Sequence, residues 1–551
     1  MFLCALMVPN VILSFTEQLS LAGMTVNILL PLGVYWVLMT LSPNVGRTVW
    51  LFFPLVFLAA FQIVLLSLYG RSVIAVDMFL NLTTTNPGEA GELLVNMWPT
   101  LLLVFALYLP LLGVSVVMWR RGMTLRPDFL RRSRRRGVAV TVAGVALLAV
   151  CVSADQAYSM RNDIFPLNVG YNISLAVGHS VRLSHYSDTS RGFTFGARSE
   201  RSDSLPETYV LVIGETSRAD HWQINGYQRP TTPMLAGEYA GEIYSFTRVM
   251  SESNTTHKSV PLMLSHLTPV NYGDSIYRVK SIITAFREAG YRTAFVSCQR
   301  RNGSFIDFFG EEADTCLFIR EPDGLNLPDA DDMTLARTFE CVLAGNRATK
   351  RLIVLHTYGS HFNYRDRYPR EYARFMPDTY AEAVAEKRSE LINAYDNTIA
   401  MTDRLLDRIL ITLRRQPGVA AMIYTSDHGE DIFDDERHLF LHASPCPSFY
   451  QLHVPFIVWL SPAFRSMCPQ TVSALRANTG KAVGANSSYF NTAVDLAGIV
   501  TPQADATLSV ASPEFRERSR CYLNDHNHCV GLRQSGFTAA DLALLNELDG
   551  R

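Results

Sequence analysis

Tyr209-Val-Leu-Val-Ile-Gly-Glu-Thr216 is the stretch on which the fold turns. An unbroken run of β-favouring apolar residues, with no polar alternation, reads as a strand buried on both faces, the kind a parallel sheet uses. Similar runs recur at residues 293–297, 352–355, 420–425 and 455–460. Helical patterns lie between them, the longest at 382–413 with Asp396 and Asp403. Strands alternating with helices predict an α/β domain with a mainly parallel central sheet. Ligands and catalytic groups gather beyond the carboxyl ends of the strands in such a sheet. There the sequence puts Glu215 after the first strand, His356 and Ser360-His361 after the third, and Ser426-Asp427-His428-Gly429-Glu430 after the fourth.

Working outward toward the amino terminus, the chain changes character. Of 551 residues, 48% are apolar, and 49 basic against 51 acidic residues leave a formal charge of −2. That balance names no polyanionic partner and disfavours nucleic-acid binding. Apolar runs at 22–41, 48–69, 98–119 and 137–154 approach or exceed the roughly 20 residues that cross a bilayer. A shorter one at 2–15 is taken as a span rather than a signal-peptide core. The expectation is therefore an all-α transmembrane bundle of five helices over residues 1–154, a membrane-proximal connector without sustained periodicity at 155–205, and the catalytic α/β domain at 206–551. Between the last two runs stand Arg120, Arg121, Arg126, Arg131, Arg132, Arg134, Arg135 and Arg136 against Asp128 alone. Basic residues near span ends stay in the cytoplasm, so everything after Ala154 is expected outside. An oxidising compartment permits disulfides among the later cysteines. Loop length favours Cys521 with Cys529 and Cys298 with Cys316.

Carboxylate and imidazole groups delivered to one sheet edge suit a divalent metal, and Zn²⁺ accepts that mixed donor set. Glu215, Asp427 and His428 can supply three donors, leaving a fourth position for a nucleophile or a substrate oxygen. Each also has an ordinary structural reading, Glu215 as an acid at a helix start and Asp427 as an N-cap. The hydroxyl nucleophile is sought in Asn254-Thr-Thr-His-Lys-Ser-Val-Pro261, a polar turn running into a short apolar helix whose N–H groups favour an anion. Thr255 and Thr256 both qualify at this stage, and the competing reading is a threonine N-cap.

At this point the chain resembles the phosphoethanolamine transferases of bacterial envelopes, within the alkaline phosphatase and sulfatase superfamily. The resemblance rests on Val212-Ile-Gly-Glu-Thr-Ser-Arg-Ala-Asp-His221, Asn225-Gly-Tyr-Gln-Arg-Pro-Thr-Thr-Pro233, Ser253-Asn-Thr-Thr-His-Lys-Ser-Val-Pro261, His356-Thr-Tyr-Gly-Ser-His361, Tyr395-Asp-Asn397, Ser426-Asp-His-Gly-Glu430 and Leu441-His442. It implies a sulfatase-like fold, with Glu215, Asp427, His428 and the nucleophile Thr256 around zinc. His361 and His442 would hold a second metal or contact the phosphoryl group. Asn81, Thr85 and Glu89 match positions associated with the donor's head group, and their spacing suits one helical face, although Asn86-Pro87 suggests a helix start there. The implied reaction takes phosphoethanolamine from phosphatidylethanolamine to lipid A or another lipopolysaccharide site. The implied location is the bacterial inner membrane, multi-pass, with the catalytic domain in the periplasm.

Departures from the family pattern matter as well. Glu252 and Leu262 stand where some relatives carry a cysteine pair, and the loop Cys298-Gln-Arg-Arg-Asn302 lacks the lysine of some members, so that either Arg300 or Arg301 substitutes for it or the substrate contacts differ. A phosphoglycerol transferase of similar architecture and a catalytically inactive envelope scaffold are the competing readings. A sulfatase activity is disfavoured, since neither Cys446-Pro-Ser-Phe nor Cys468-Pro-Gln-Thr supplies the Cys-x-Pro-x-Arg that formylglycine needs.

Overall fold

The computed structural model describes residues 1–17, 19–69, 74–84, 91, 97–155 and 158–550, with backbone alone at 81–84. Two compact units emerge: Met1–Leu82, Leu93–His179 and Asp435–Leu439 form one, and Thr83–Glu92, Ser180–Asp434 and Phe440–Arg551 the other.

The first unit is helical: α1 (Phe2–Thr16), α2 (Leu21–Met39), α3 (Val45–Leu51), α4 (Phe53–Tyr69), α5 (Val76–Thr84), α6 (Trp98–Arg120) and α7 (Pro127–Ala154). Three of these, α2, α6 and α7, are long and apolar enough to cross a membrane, or four if α3 and α4 count as one broken span. Each of the five expected runs is helical, but among the described residues only three or four pass as spans. The run at 48–69 is bent by 61° between α3 and α4, and α1 has only 15 residues, short of a bilayer's thickness. Most of the arginine-rich stretch expected as a loop is instead the first turns of α7, which begins at Pro127, a residue suited to helix starts. Small residues let helices approach closely: a Cβ on Gly33 of α2 would fall 2.5 Å from the Thr141 backbone of α7.

Part of the stretch expected as an irregular connector is helix α8, Leu167–Ser184. Its apolar stripe is disguised because two residues on its buried face, Asn168 and Asn172, are polar. Both amides donate to the Ile74 carbonyl, which makes their burial tolerable.

A seven-stranded sheet forms the centre of the second unit. Its strands are β1 (Glu207–Gly214), β2 (Ile243–Phe246), β3 (Arg292–Ser297), β4 (Thr315–Phe318), β5 (Lys350–His356), β6 (Val419–Ser426) and β7 (Phe456–Leu460), in the spatial order β2-β7-β6-β1-β5-β3-β4. The sheet is mixed. Pairings along β6-β1-β5-β3-β4 are parallel, while β7 runs antiparallel to β6 and β2. The run at 455–460 is thus a strand of opposite direction, which apolarity alone cannot reveal. Register aligns the strand ends: Gly214 faces Ser426, and Ile213 and Ser297 both face His356. Residues leaving β1, β3, β5 and β6 consequently emerge on one edge. Helices α9 (Thr256–Leu264), α10 (Arg388–Arg414) and α11 (Ala485–Leu496) bear on that edge, α10 beginning six residues later than its sequence pattern.

Cys521 and Cys529 form a disulfide across a two-stranded hairpin. The expected Cys298–Cys316 bridge is absent, both thiols being free. Parallel register sets Cys316 beside Phe295, three residues before Cys298, or about 10 Å along the strand, beyond disulfide reach. The Cys298 thiol donates to the Ala330 carbonyl instead.

Candidate active site

Glu215 follows β1, whose eight residues are all buried. The turn after it is strained: Thr216 has φ +59°, a left-handed conformation that a β-branched residue rarely adopts. Three contacts hold it there. The Thr216 N–H donates to Asp427 Oδ1 at 3.1 Å, Tyr395 Oη donates to the Thr216 carbonyl at 2.7 Å, and the Arg218 N–H donates to that same phenol at 2.8 Å. Tyr395 comes from α10, so the long helix fixes the loop that carries Glu215. On the other side the chain must pass very close, and Gly359 is required there: its φ is +53° and a Cβ would lie 2.6 Å from the Glu215 carbonyl oxygen. The Asp332 carboxylate anchors that loop by accepting the Tyr358 and Gly359 N–H groups at 2.8 and 2.9 Å.

Four donor atoms converge at the strand ends. His428 Nε2 lies 3.2 Å from Thr256 Oγ1, 3.3 Å from Asp427 Oδ2 and 3.4 Å from Glu215 Oε1. Thr256 Oγ1 is also 3.2 and 3.3 Å from the two Glu215 oxygens. The other ring nitrogen, His428 Nδ1, donates to the Gly429 carbonyl at 2.9 Å, so in the neutral imidazole Nε2 carries a lone pair. Burial lowers the His428 pKa and favours that neutral form. Asp427 Oδ2 is buried without a hydrogen bond. Two carboxylates, an imidazole lone pair and a hydroxyl therefore face one another, with Glu215, Asp427 and His428 buried and Thr256 partly exposed. Such a set of acceptors fits a divalent cation, and Glu215, Asp427 and His428 offer ligand atoms within 4.8 Å of one another.

The electrostatics of the carboxylates diverge. Burial, followed by the charge of Glu215, pushes the Asp427 carboxyl well above the usual range. Burial would raise Glu215 too, but His428, His361, His356 and the Gln299 amide outweigh it and bring its pKa down.

Glu215, His361 and His442 make a second group with ligand atoms inside the same 4.8 Å limit. His361 Nδ1 bonds the Phe362 carbonyl at 2.7 Å and His442 Nδ1 bonds Glu430 Oε1 at 3.1 Å, so each ring is oriented through one nitrogen. The His428 and His442 rings are 4.1 Å apart, centre to centre. Positive φ at both Leu441 and Ala443 folds the chain sharply around His442.

The two threonines separate here. Thr256 is the first residue of α9 with its hydroxyl in the donor cluster, whereas Thr255 sits in the cap position with its hydroxyl 3.4 Å from Ser253 Oγ. Of the three residues matched to the donor's head group, Thr85 and Glu89 lie outside the described residues, and Asn81 belongs to α5 with its side chain outside them.

Arg300 and Arg301 make their described contacts within their own part of the fold. Arg301 is tied to Glu311 at 2.6 Å and stacks on Phe318, and Arg300 reaches the Arg320 carbonyl. The residue of that loop that enters the site is Gln299, whose Nε2 donates to Glu215 Oε2 at 2.9 Å and to the Thr357 carbonyl at 3.0 Å. Its place just beyond β3 was signal enough; charge drew attention to its neighbours. Sequence reasoning also passed over Arg367, which donates to the His361 and Phe362 carbonyls and stacks on Tyr358. Gln299→Ala is expected to weaken divalent-metal binding roughly 10- to 100-fold in chelator competition, with Arg301→Ala unchanged. Equal affinity in Gln299→Ala and the parent protein would remove Gln299 from the site.

Comparison with known proteins places this arrangement. Residues 207–499 match the family model described as sulfatase, more than half of the chain. The chain belongs to the sulfatase family. Among curated relatives of this sulfatase-family chain is the Kdo(2)-lipid A phosphoethanolamine 7''-transferase of Salmonella typhimurium, 31% identical over 279 residues. That match takes in 49% of this chain and 47% of the enzyme, so the chain covers about half the length of that relative. The integral membrane lipooligosaccharide phosphoethanolamine transferase A of Neisseria meningitidis shares the fold, with a TM-score of 0.71, 21% identity, and coverage of 92% of this chain and 98% of that one. The C-terminal periplasmic domain of EptC from Escherichia coli, solved as a complex with zinc, has a TM-score of 0.54 at 24% identity over 61% of this chain and 95% of that one.

Proposed function

We propose that this protein is a zinc-dependent transferase that moves phosphoethanolamine from phosphatidylethanolamine to lipid A or another lipopolysaccharide site, releasing diacylglycerol. The observation that carries the reading is Thr256 Oγ1, placed at a helix start within 3.3 Å of both Glu215 oxygens and His428 Nε2. The Salmonella relative's activity and the zinc in the EptC domain support the same reading. Glu215, Asp427 and His428, with Thr256, would hold the metal; when bound, it neutralises phosphodiester charge and lowers the threonine hydroxyl's pKa.

This chain's own groups then account for the transfer. Thr256 Oγ attacks phosphorus, forming a threonine–phosphorus ester as the bond to the glycerol oxygen breaks, and the proton it loses is the one the departing oxygen gains. The departing oxygen takes a proton and leaves as diacylglycerol. His442 is suited to relay it, because burial keeps its ring neutral and Glu430 orients one nitrogen, leaving the other free to take a proton and pass it on. N–H groups of the first turn of α9 face the phosphoryl oxygens as charge builds on them. An acceptor oxygen then attacks the same phosphorus, and Thr256 recovers a proton.

In this account residues 1–154 lie in the inner membrane, 155–205 form a connector close to its surface and 206–551 face the periplasm. Asn81, Thr85 and Glu89 would meet the donor's head group. A reporter active only outside the cytoplasm, fused after Arg551, should be active; an inactive fusion beside an active cytoplasmic reporter would reverse the orientation. Mass spectrometry of envelope lipids from cells with and without the gene should show phosphoethanolamine-bearing lipopolysaccharide only with it. Identical lipid profiles would refute the proposed acceptor.

A further inference from the structure

Three consecutive residues of the disulfide hairpin take hold of the segment that runs into Thr256. The Leu523 N–H donates to the Glu252 carbonyl at 2.8 Å, Tyr522 Oη donates to Asn254 Oδ1 at 2.6 Å, and the Asn524 carbonyl accepts Lys258 Nζ at 2.7 Å. Contacts at 252, 254 and 258 bracket the threonine on both sides. Glu252, Asn254, Lys258, Tyr522 and Leu523 are all buried, so these bonds are made away from competing water.

Asn254 is the pivot. Its Nδ2 donates to Gln451 Oε1 at 2.7 Å and to the Ser444 carbonyl at 2.8 Å, and its own carbonyl accepts the Ala443 N–H at 3.2 Å. Residues 443 and 444 directly follow His442, so one residue ties the Thr256 segment to the turn that carries His442. Tyr522 supplies the donor to the side-chain oxygen of that residue.

The hold depends on a stiff hairpin. Its strands, Cys521–Leu523 and Cys529–Gly531, have three residues each, and an isolated two-stranded ribbon is marginal in water. The Cys521–Cys529 disulfide closes it, one residue before Tyr522, and a crosslink limits the open conformations available to the loop. The Tyr522 ring packs in a small core with Met250, Phe449 and Leu452. Residues 251–264 contain no cysteine, so any crosslinked support for this segment comes from outside it.

We propose that Tyr522, held by the disulfide-closed hairpin, is a positioning residue for Thr256 and acts through Asn254. The inference rests on the transfer reading and adds a residue to its site. Thr256 Oγ must meet phosphorus along a narrow approach, and a displacement of about 1 Å is enough to cost roughly 10²-fold in rate. Tyr522 bonds to Asn254 and not to the donor cluster, so its loss should appear in kcat rather than in KM.

Full-length protein in detergent, supplied with phosphatidylethanolamine, tests this through three variants: Tyr522→Phe, the pair Cys521→Ser with Cys529→Ser, and all three changes together. Tyr522→Phe keeps the ring and its packing, and should lower kcat for diacylglycerol release about tenfold with KM and bound zinc unchanged. The serine pair should act in the same way. The triple variant should be no slower than the slower of the other two, because both sever one connection. Hydrogen–deuterium exchange of the peptide spanning 252–258 should be faster in every variant than in the parent, with the β1 and β6 peptides unchanged. That arm needs no catalysis: a parent protein that releases no diacylglycerol would refute the transfer reading, and exchange alone would then decide whether Tyr522 positions the segment. Unchanged exchange in Tyr522→Phe, an unchanged kcat in a working enzyme, a change confined to KM, or losses that multiply in the triple variant would overturn the proposal.

Discussion

Thr256→Ala lowers transfer by at least about 10³-fold and abolishes donor cleavage as well, because the atom that attacks phosphorus is gone. Thr256→Ser keeps part of the activity, since the hydroxyl survives and only a methyl is lost. Thr255→Ala tests the neighbour: its hydroxyl is near Ser253 Oγ rather than the donor cluster, so donor cleavage should persist. Separate assays of diacylglycerol release and acceptor modification read all three variants. A fully active Thr256→Ala protein would remove this residue from the chemistry.

Asp427→Asn has a comparable effect through the metal. Asp427 Oδ1 accepts the Thr216 and His428 N–H groups, while Oδ2 has no hydrogen bond. The amide carbonyl can keep the first role but loses the charge that a cation needs. Bound zinc should fall by one to two orders of magnitude in affinity and transfer by at least about 10³-fold, with the thermal transition little changed. Asp427→Ala should lose zinc and transfer too, and would also forfeit the support of the strained Thr216 turn. Stripping metal from the parent protein with a chelator should silence it, and added Zn²⁺ should restore it. Full activity in metal-free protein would contradict the metal requirement.

Much of the site was legible because strand ends are where an α/β sheet exposes chemistry. Glu215, Asp427, His428 and His361 could all be placed on one edge from the runs that precede them, and the register of β1, β5 and β6 brings them there. Strand direction was not legible, since β7 is as apolar as the parallel strands of the sheet and only its antiparallel pairings with β6 and β2 set it apart. Strands β2 and β4 were missed for another reason: each is four residues long and partly exposed, leaving little periodicity to detect. Helix α8 hid behind Asn168 and Asn172, whose burial depends on a carbonyl supplied from distant Ile74. Gln299 carries no charge and binds through an amide, so nothing in its composition marked it beside two arginines. Residue chemistry alone left Thr255 and Thr256 equivalent and only motif position favoured Thr256, whose hydroxyl at the start of α9 is the one near Glu215.

The central claim is that Thr256 becomes covalently modified, and it can be tested on the protein itself. Full-length protein incubated with phosphatidylethanolamine and no acceptor, then analysed by intact mass and peptide mapping, should carry one phosphoethanolamine group on the peptide containing Thr256, and adding acceptor should discharge it. An adduct confined to Thr255, or unmodified protein despite continued release of diacylglycerol, would contradict the account.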